Sequence, residues 1–275
     1  MAESTLTTDA MDFVCTLVRN RSAIELESNK GYLVEARLGP VAKLNGFGST
    51  LDLLRSLRAK PQPQLEHAIV EAMTTNETSF FRDTHPFDAL SRSVLPARIE
   101  ARKVSRTLNI WSAACSSGQE LYSIAMIIRE QFPELLGWKL ELLGTDLSET
   151  VFERARQGIY SQIEVNRGLS AGRLVKFFER SGAQWKLKKE VTDMATFRKM
   201  NLIECWPTMP QMDVVFLRNV LIYFSTDTKR MILSRVRKIM APGGILFLGA
   251  AETTLNLDTS FERVTDGDCV YYRVG

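Results

Sequence analysis

Ile110-Trp-Ser-Ala-Ala-Cys-Ser-Ser-Gly-Gln-Glu120, followed by Gly144-Thr-Asp-Leu-Ser148, is the part of the sequence whose reading decides the fold. Each stretch takes an apolar run into small or polar residues and then into a helical pattern. Leu108 to Trp111 is short and apolar, as suits a parallel strand covered on both faces by helices. Ala113, Ala114, Ser116, Ser117 and Gly118 then leave the backbone nearly bare at the start of a helix expected from about Gly118 to Gln131, so a ligand can approach main-chain N–H groups. Leu140 to Leu143 is a second strand that delivers Asp146 to the same edge, where a carboxylate can accept both hydroxyls of a ribose. The two strand ends together predict a nucleoside pocket in an α/β domain.

A dinucleotide site would carry G-x-G-x-x-G in the first turn, with a pyrophosphate on the helix dipole. This chain has one of those glycines, and Glu120 would repel a phosphate. The same carboxylate attracts the cationic methionine end of S-adenosylmethionine (SAM), which favours a methyl donor over NAD. The plainer reading of Glu120, a solvated residue favoured in a helix first turn by the dipole, is equal to it until other motifs are considered.

At 275 residues the chain can bury a substantial core in one large domain, or in one domain and a smaller one. Its net charge of +3 is too small for a nucleic-acid-binding surface over the whole protein. Residues 160–200 are nevertheless locally basic, with nine Lys and Arg against four Asp and Glu. Cys15, Cys115, Cys205 and Cys269 are far apart, without a C-x-x-C pair or a histidine set for zinc, so reduced thiols and no metal are expected. Met1 to Asp12 lacks the features of a signal peptide, and no apolar run approaches the ~18 residues of a membrane span. A soluble, cytoplasmic protein is expected.

From about Thr8 to Met73 the pattern is helical throughout, punctuated by Gly46-Phe-Gly48 and Pro61-Gln-Pro63. The first strand signal is Leu108. This predicts a helical N-terminal domain at 1–75, a linker at 76–104 and an α/β domain at 105–275. Ser148 is a candidate N-cap for a helix that ends near Gly158. At about 160–200 an insertion interrupts the alternation, with a helix-like piece from Ser170 to Glu179 and a hairpin expected from Gln184 to Val191 and Ala195 to Met200. In its first arm Trp185 and Leu187 face one side and Lys186 and Lys188 the other, a small sheet with one charged face. The main sheet resumes at Asp213 to Leu217, ending in Arg218-Asn219. Ser225 caps a helix through Met240, and Pro242-Gly-Gly244 turns the chain into Ile245 to Leu248. A hairpin of Phe261 to Val264 and Val270 to Val274 closes the chain.

These motifs closely resemble CheR, the bacterial chemotaxis receptor methyltransferase family. The resemblance covers nearly the whole chain and is carried by Asn76-Glu-Thr-Ser-Phe-Phe-Arg82, Trp111 to Glu120, Thr145-Asp146, Asn201-Leu202 and Arg218-Asn-Val-Leu-Ile-Tyr-Phe224. It implies a Rossmann-like SAM-dependent methyltransferase sheet with a terminal antiparallel hairpin, a small all-helical N-terminal domain and an inserted antiparallel β-subdomain. It also implies methyl transfer from SAM to glutamate side chains on the cytoplasmic helices of chemoreceptors, giving γ-methyl esters and S-adenosylhomocysteine. By the same resemblance, Asn76, Thr78 and Arg82 contact the cofactor or border the methyl-transfer site. Arg82 is suited to either the methionine carboxylate or the incoming glutamate. Glu120 is implied to hold the methionyl amino group, Asp146 the ribose, and Asn201 with Leu202 the adenine. Arg218 and Asn219 are implied at the methionine end, and Tyr223 beside the methyl group, orienting the acceptor. Phe80, Phe81 and Phe224 are expected in the core or the pocket wall. Leu121 departs from the family, which usually has proline there.

The turn Arg180-Ser-Gly-Ala-Gln184 is short, whereas members that grip a receptor C-terminal pentapeptide carry a longer glycine-rich one; independence of such a tether is therefore expected. Lys30, Arg37 and Lys43 are then candidates for docking acidic receptor helices. No membrane insertion and no nucleic acid are expected, and a monomer is preferred because no extended apolar stripe is left over. Two other readings stay open: a methyltransferase for RNA or a small molecule, with the basic insertion on phosphates, and a non-catalytic SAM-binding signalling module. Retention of both Arg82 and Tyr223 argues against the last.

Overall fold

The structure, a computed structural model, describes residues 6–275; of the N-terminal stretch weighed above as a leader, residues 1–5 lie outside it. Contacts divide the chain into two units. One runs to Thr75 and takes in Tyr223–Thr228, and the other comprises Asn76–Ile222 and Lys229–Gly275.

The first unit is helical, as its sequence predicts: α1 (Thr8–Ser22), α2 (Gly31–Leu44), α3 (Thr50–Ala59) and α4 (Pro63–Met73). Side-chain caps start two of them, Thr7 Oγ1 accepting from Ala10 N and Ser49 Oγ from Asp52 N. Val14, Val18, Leu38, Leu53 and Ile69 are fully buried at its centre. Of the docking candidates Lys30, Arg37 and Lys43, two are engaged within this unit. Arg37 donates to the Met73 and Thr74 carbonyl oxygens at 2.8 and 2.9 Å, satisfying acceptors at the end of α4. Lys30 pairs with Glu27. Lys43 is exposed.

The second unit begins with α5 (His85–Ala89) and α6 (Leu95–Arg102), joined by a π turn. Then come β1 (Thr107–Ala113), α7 (Gln119–Gln131), β2 (Lys139–Asp146), α8 (Glu149–Gln157), β3 (Ile159–Tyr160), α9 (Gln162–Asn166), α10 (Ala171–Phe177), β4 (Phe178–Ser181) and β5 (Gln184–Leu187). After these follow α11 (Lys189–Thr192), β6 (Ala195–Lys199), β7 (Met212–Leu217), α12 (Thr226–Ile239), β8 (Met240–Leu248), β9 (Phe261–Asp266) and β10 (Cys269–Val274). The main sheet has the order β6-β2-β1-β7-β8-β10-β9, parallel except for the terminal hairpin. β1 and β2 run in register from Thr107 opposite Lys139 to Ala113 opposite Thr145, so their carboxyl ends finish level. That alignment sets the two motif loops side by side.

Two expectations about the strands are corrected. Ala195 to Met200 does not pair with Gln184 to Val191. Its residues 195–199 join the main sheet as the parallel edge strand beside β2, and the hairpin is instead β4 with β5, closed by Gly182-Ala183, with β3 on the far side of β5. The helix-like piece accordingly stops at Phe177, and Phe178 starts a strand. Pro242-Gly-Gly244 makes a register shift within β8 opposite Met212–Val214 instead of a separate turn. Leu187 is buried and Trp185 half-buried while Lys186 is exposed, as alternation predicts.

Residues 76–104 pack into the α/β unit. Phe80 is fully buried and meets Tyr160 and Phe178 edge-on at 5.0 and 5.5 Å. Gly168, at φ +87°, lies against the same segment, and a Cβ there would sit 2.0 Å from the Phe80 carbonyl oxygen, so only glycine fits.

Candidate active site

The site is assembled at the carboxyl edge of the parallel strands, where an open α/β sheet leaves its crevice. After β1 the backbone alternates sharply, with positive φ at Ala114, Ser116 and Gly118, the last being the N-cap of α7. This bend lets Ser116 N donate to Asp146 Oδ2 at 2.8 Å, while Ser148 N donates to Asp146 Oδ1 at 3.1 Å. Asp146, only 7% exposed, is thus fixed by main-chain donors from both loops. Ser148 occupies the N-cap position of α8 without a side-chain cap bond, its N–H serving Asp146 instead. Met200 N donates to the Asp146 carbonyl at 2.8 Å, which brings Asn201 and Leu202 beside it. Asn201 holds its own loop, its Oδ1 accepting from Ile203 N and its Nδ2 donating to Glu204. Leu202 is buried, and its carbonyl accepts from Trp206 Nε1 and Arg235.

The second focus is Arg218, just past β7. Its side chain is 2% exposed and bridges two carboxylates, with Nη1 to Glu120 Oε2 at 2.8 Å and Nη2 to Asp83 Oδ2 at 2.7 Å. Nη2 also donates to the Arg82 carbonyl at 2.9 Å, and Ser112 Oγ donates to Glu120 Oε1 at 2.8 Å. Glu120 is therefore no solvated first-turn residue; its side chain is 12% exposed and held from two strands. Arg218 Nε is buried without a hydrogen-bond partner among the described residues. Asn219 has φ +58°, and its N–H donates to Glu252 Oε2 at 2.8 Å.

Of the linker residues, Asn76 offers its carbonyl to Ser116 Oγ at 2.7 Å, and Thr78 is half-buried. The Arg82 guanidinium donates to the Glu77 carbonyl at 3.1 Å, within its own segment. Tyr223 closes a 3-10 turn, Leu221–Tyr223, and belongs by contacts to the helical unit, where its carbonyl accepts from Glu25 N at 2.9 Å. Sequence reasoning missed Asp83 and Glu252. Both had a signal: Asp83 follows the Arg82 motif directly, and Glu252 lies just past the carboxyl end of β8.

Cys115 sits in the first loop, but burial, reinforced by the Asp146 and Glu120 carboxylates, holds its thiol well above the usual cysteine value, so it stays protonated. Among the described residues no His, Cys, Asp and Glu group is arranged to hold a metal ion, and no helix is long and apolar enough to cross a membrane.

Sheet order, strand-end loops and the paired acids together define a SAM-dependent methyltransferase. A family model described as the CheR methyltransferase SAM binding domain matches residues 76–268, and one described as the CheR methyltransferase all-alpha domain matches residues 9–74. The chain belongs to the CheR methyltransferase family. It is similar to chemotaxis protein methyltransferase 1 of Pseudomonas aeruginosa, at 41% identity over 91% of this chain and 92% of that protein. It is also similar to the chemotaxis protein methyltransferase of Vibrio parahaemolyticus, at 41% identity over 94% of each. A more distant likeness, to that of Borreliella burgdorferi, has 29% identity over 90% of this chain and 89% of that protein.

Proposed function

We propose that this protein transfers a methyl group from SAM to glutamate side chains of chemoreceptors, acting in the cytoplasm as a monomer on the helical cytoplasmic region of the receptor. The observation that carries the reading is the Asp146 and Glu120–Arg218 pair of anchors on level strand ends, in a chain whose relatives are named chemotaxis methyltransferases. The residues fit the cofactor. Asp146 is a buried acceptor for ribose hydroxyls, Asn201 and Leu202 border it on the adenine side, and Glu120 is an acceptor for an ammonium. Arg218 and Asn219 are assigned to the methionine end, and Asn76, whose carbonyl accepts from Ser116 Oγ, is assigned with Thr78 to the cofactor or the border of the methyl-transfer site.

What SAM supplies when bound is a methyl group activated by a positively charged sulfur. The protein's share is positioning and exclusion of water. A glutamate acceptor has an ordinary pKa near ~4.3, so at neutral pH it is already ionised and no general base is needed. Neither His67 nor His85 is assigned a role in the chemistry. Arg82 is proposed to hold a carboxylate, that of the cofactor or of the acceptor, and Tyr223 to orient the acceptor.

Tether independence is supported by the two-residue turn between β4 and β5, which leaves no loop to grip a peptide. RNA as acceptor loses support because Arg167, Arg173 and Lys189 of the basic insertion are paired with Glu77, Glu130 and Asp193. The test is incubation with tritiated methyl-SAM and receptor-containing membranes. Base-labile volatile label released from the receptor band is expected, while tight SAM binding without such label sinks the glutamate reading. Calorimetry with an N-W-E-T-F-type peptide is expected to give no micromolar binding.

A further inference from the structure

Glu252 accepts three backbone hydrogen bonds beside the site proposed above. Its Oε2 accepts from Asn219 N at 2.8 Å and Gly249 N at 2.6 Å, and its Oε1 accepts from Ile222 N at 3.2 Å. In return Glu252 N donates to the Gly249 carbonyl at 2.9 Å. One carboxylate from beyond β8 therefore fixes both ends of the segment that leaves β7, and that segment carries Arg218 and Asn219.

The fit is tight enough to exclude alternatives. A Cβ on Gly249 would lie 2.7 Å from Glu252 Oε2, 2.7 Å from Asn219 Nδ2 and 2.9 Å from Asn219 N, so the carboxylate reaches these donors only over a glycine. Asn219 is in the left-handed region at φ +58°, which asparagine tolerates better than most residues but which still needs holding. Thr253, next to Glu252, is tied to β10 by the Tyr272 hydroxyl at 3.1 Å, so the anchor itself rests on the sheet. Glu252 and Arg218 also line a cavity of about 210 Å³ together with Asp83 and Gly249.

We infer that Glu252 is a positioning residue for the methionine end of the cofactor site, holding Asn219 and the Arg218 backbone in the geometry that binding requires. The inference rests on the assignment of Arg218 and Asn219 to that end, not on the acceptor. It separates two ligands. S-Adenosylhomocysteine reaches both the nucleoside and the methionine end, whereas 5′-methylthioadenosine lacks the amino-acid portion and depends on Asp146, Asn201 and Leu202.

The experiment is calorimetric titration of the full chain and of Glu252→Ala and Glu252→Gln with both ligands, with circular dichroism to confirm folding. Glu252→Ala removes three charge-assisted hydrogen bonds and is expected to weaken S-adenosylhomocysteine binding about tenfold or more, leaving 5′-methylthioadenosine within about twofold. Glu252→Gln keeps one oxygen for Asn219 and Gly249 but turns an NH2 toward Ile222 N–H, so a smaller loss of the same selective kind is expected; being isosteric, it keeps the test open if the alanine variant does not fold. Equal losses for both ligands would mark a general structural role and overturn the proposal, as would no loss for either. A wild-type protein that binds S-adenosylhomocysteine but labels no receptor overturns the glutamate reading alone, since the calorimetric comparison never involves the acceptor.

Discussion

Arg218 concentrates the electrostatics of the site in one side chain. A guanidinium that is 2% exposed is costly to desolvate, and Glu120 and Asp83 offset that cost from opposite sides. Arg218→Ala leaves the 12%-exposed Glu120 carboxylate unpaired, so urea denaturation is expected to show a loss of about 3 kcal/mol together with loss of SAM binding. The Cys269 thiol gives a pH signature. Burial pushes it up to about 11 from an ordinary 9.0, so the unfolded chain ionises first as the pH rises. The native state then binds more protons than the unfolded one, and stability falls with pH. Urea midpoints are expected to be level below pH 9 and to decline toward pH 11, with a shallower decline in Cys269→Ala. At this scale Asp146, Glu120 and Arg218 were legible in the sequence because each follows a buried run that ends at one sheet edge. That Arg218 and Glu120 pair was not, because 98 residues separate them and no periodicity encodes the contact.

Elements were legible where the pattern is local. The four N-terminal helices, the terminal hairpin and the strand–loop–helix of β1 and α7 all follow from spacing, caps and turn residues. The insertion was misread because alternation identifies a strand without naming its partner. Gln184 to Leu187 and Ala195 to Lys199 have the same period, yet one pairs within a three-stranded sheet and the other extends the main one. The residues 76–104 segment is an element-scale case in the other direction, since its phenylalanines bind it into the α/β unit. Phe80→Ala would remove a fully buried ring from between Tyr160 and Phe178. Denaturant unfolding is expected to show a loss of about 3–5 kcal/mol.

For the whole molecule, cofactor binding and folding are linked. A ligand that binds only the native state adds RT ln(1 + [L]/Kd), so S-adenosylhomocysteine at 100 times its Kd is expected to add about 2.7 kcal/mol and raise the melting temperature. A melting curve unmoved by saturating S-adenosylhomocysteine would contradict the pocket. Membership of Tyr223–Thr228 in the helical unit has a different consequence. The chain enters the α/β unit at Asn76, leaves it after Ile222 and re-enters at Lys229, so the boundary between the units is crossed three times. No single recombination point in the gene exchanges one unit for a homologue's. A chimaera joined only at residue 75 would set a foreign helical unit against this chain's Tyr223, whose carbonyl accepts from Glu25 N, whereas one that also carried the matching hexapeptide would keep that contact within one parent.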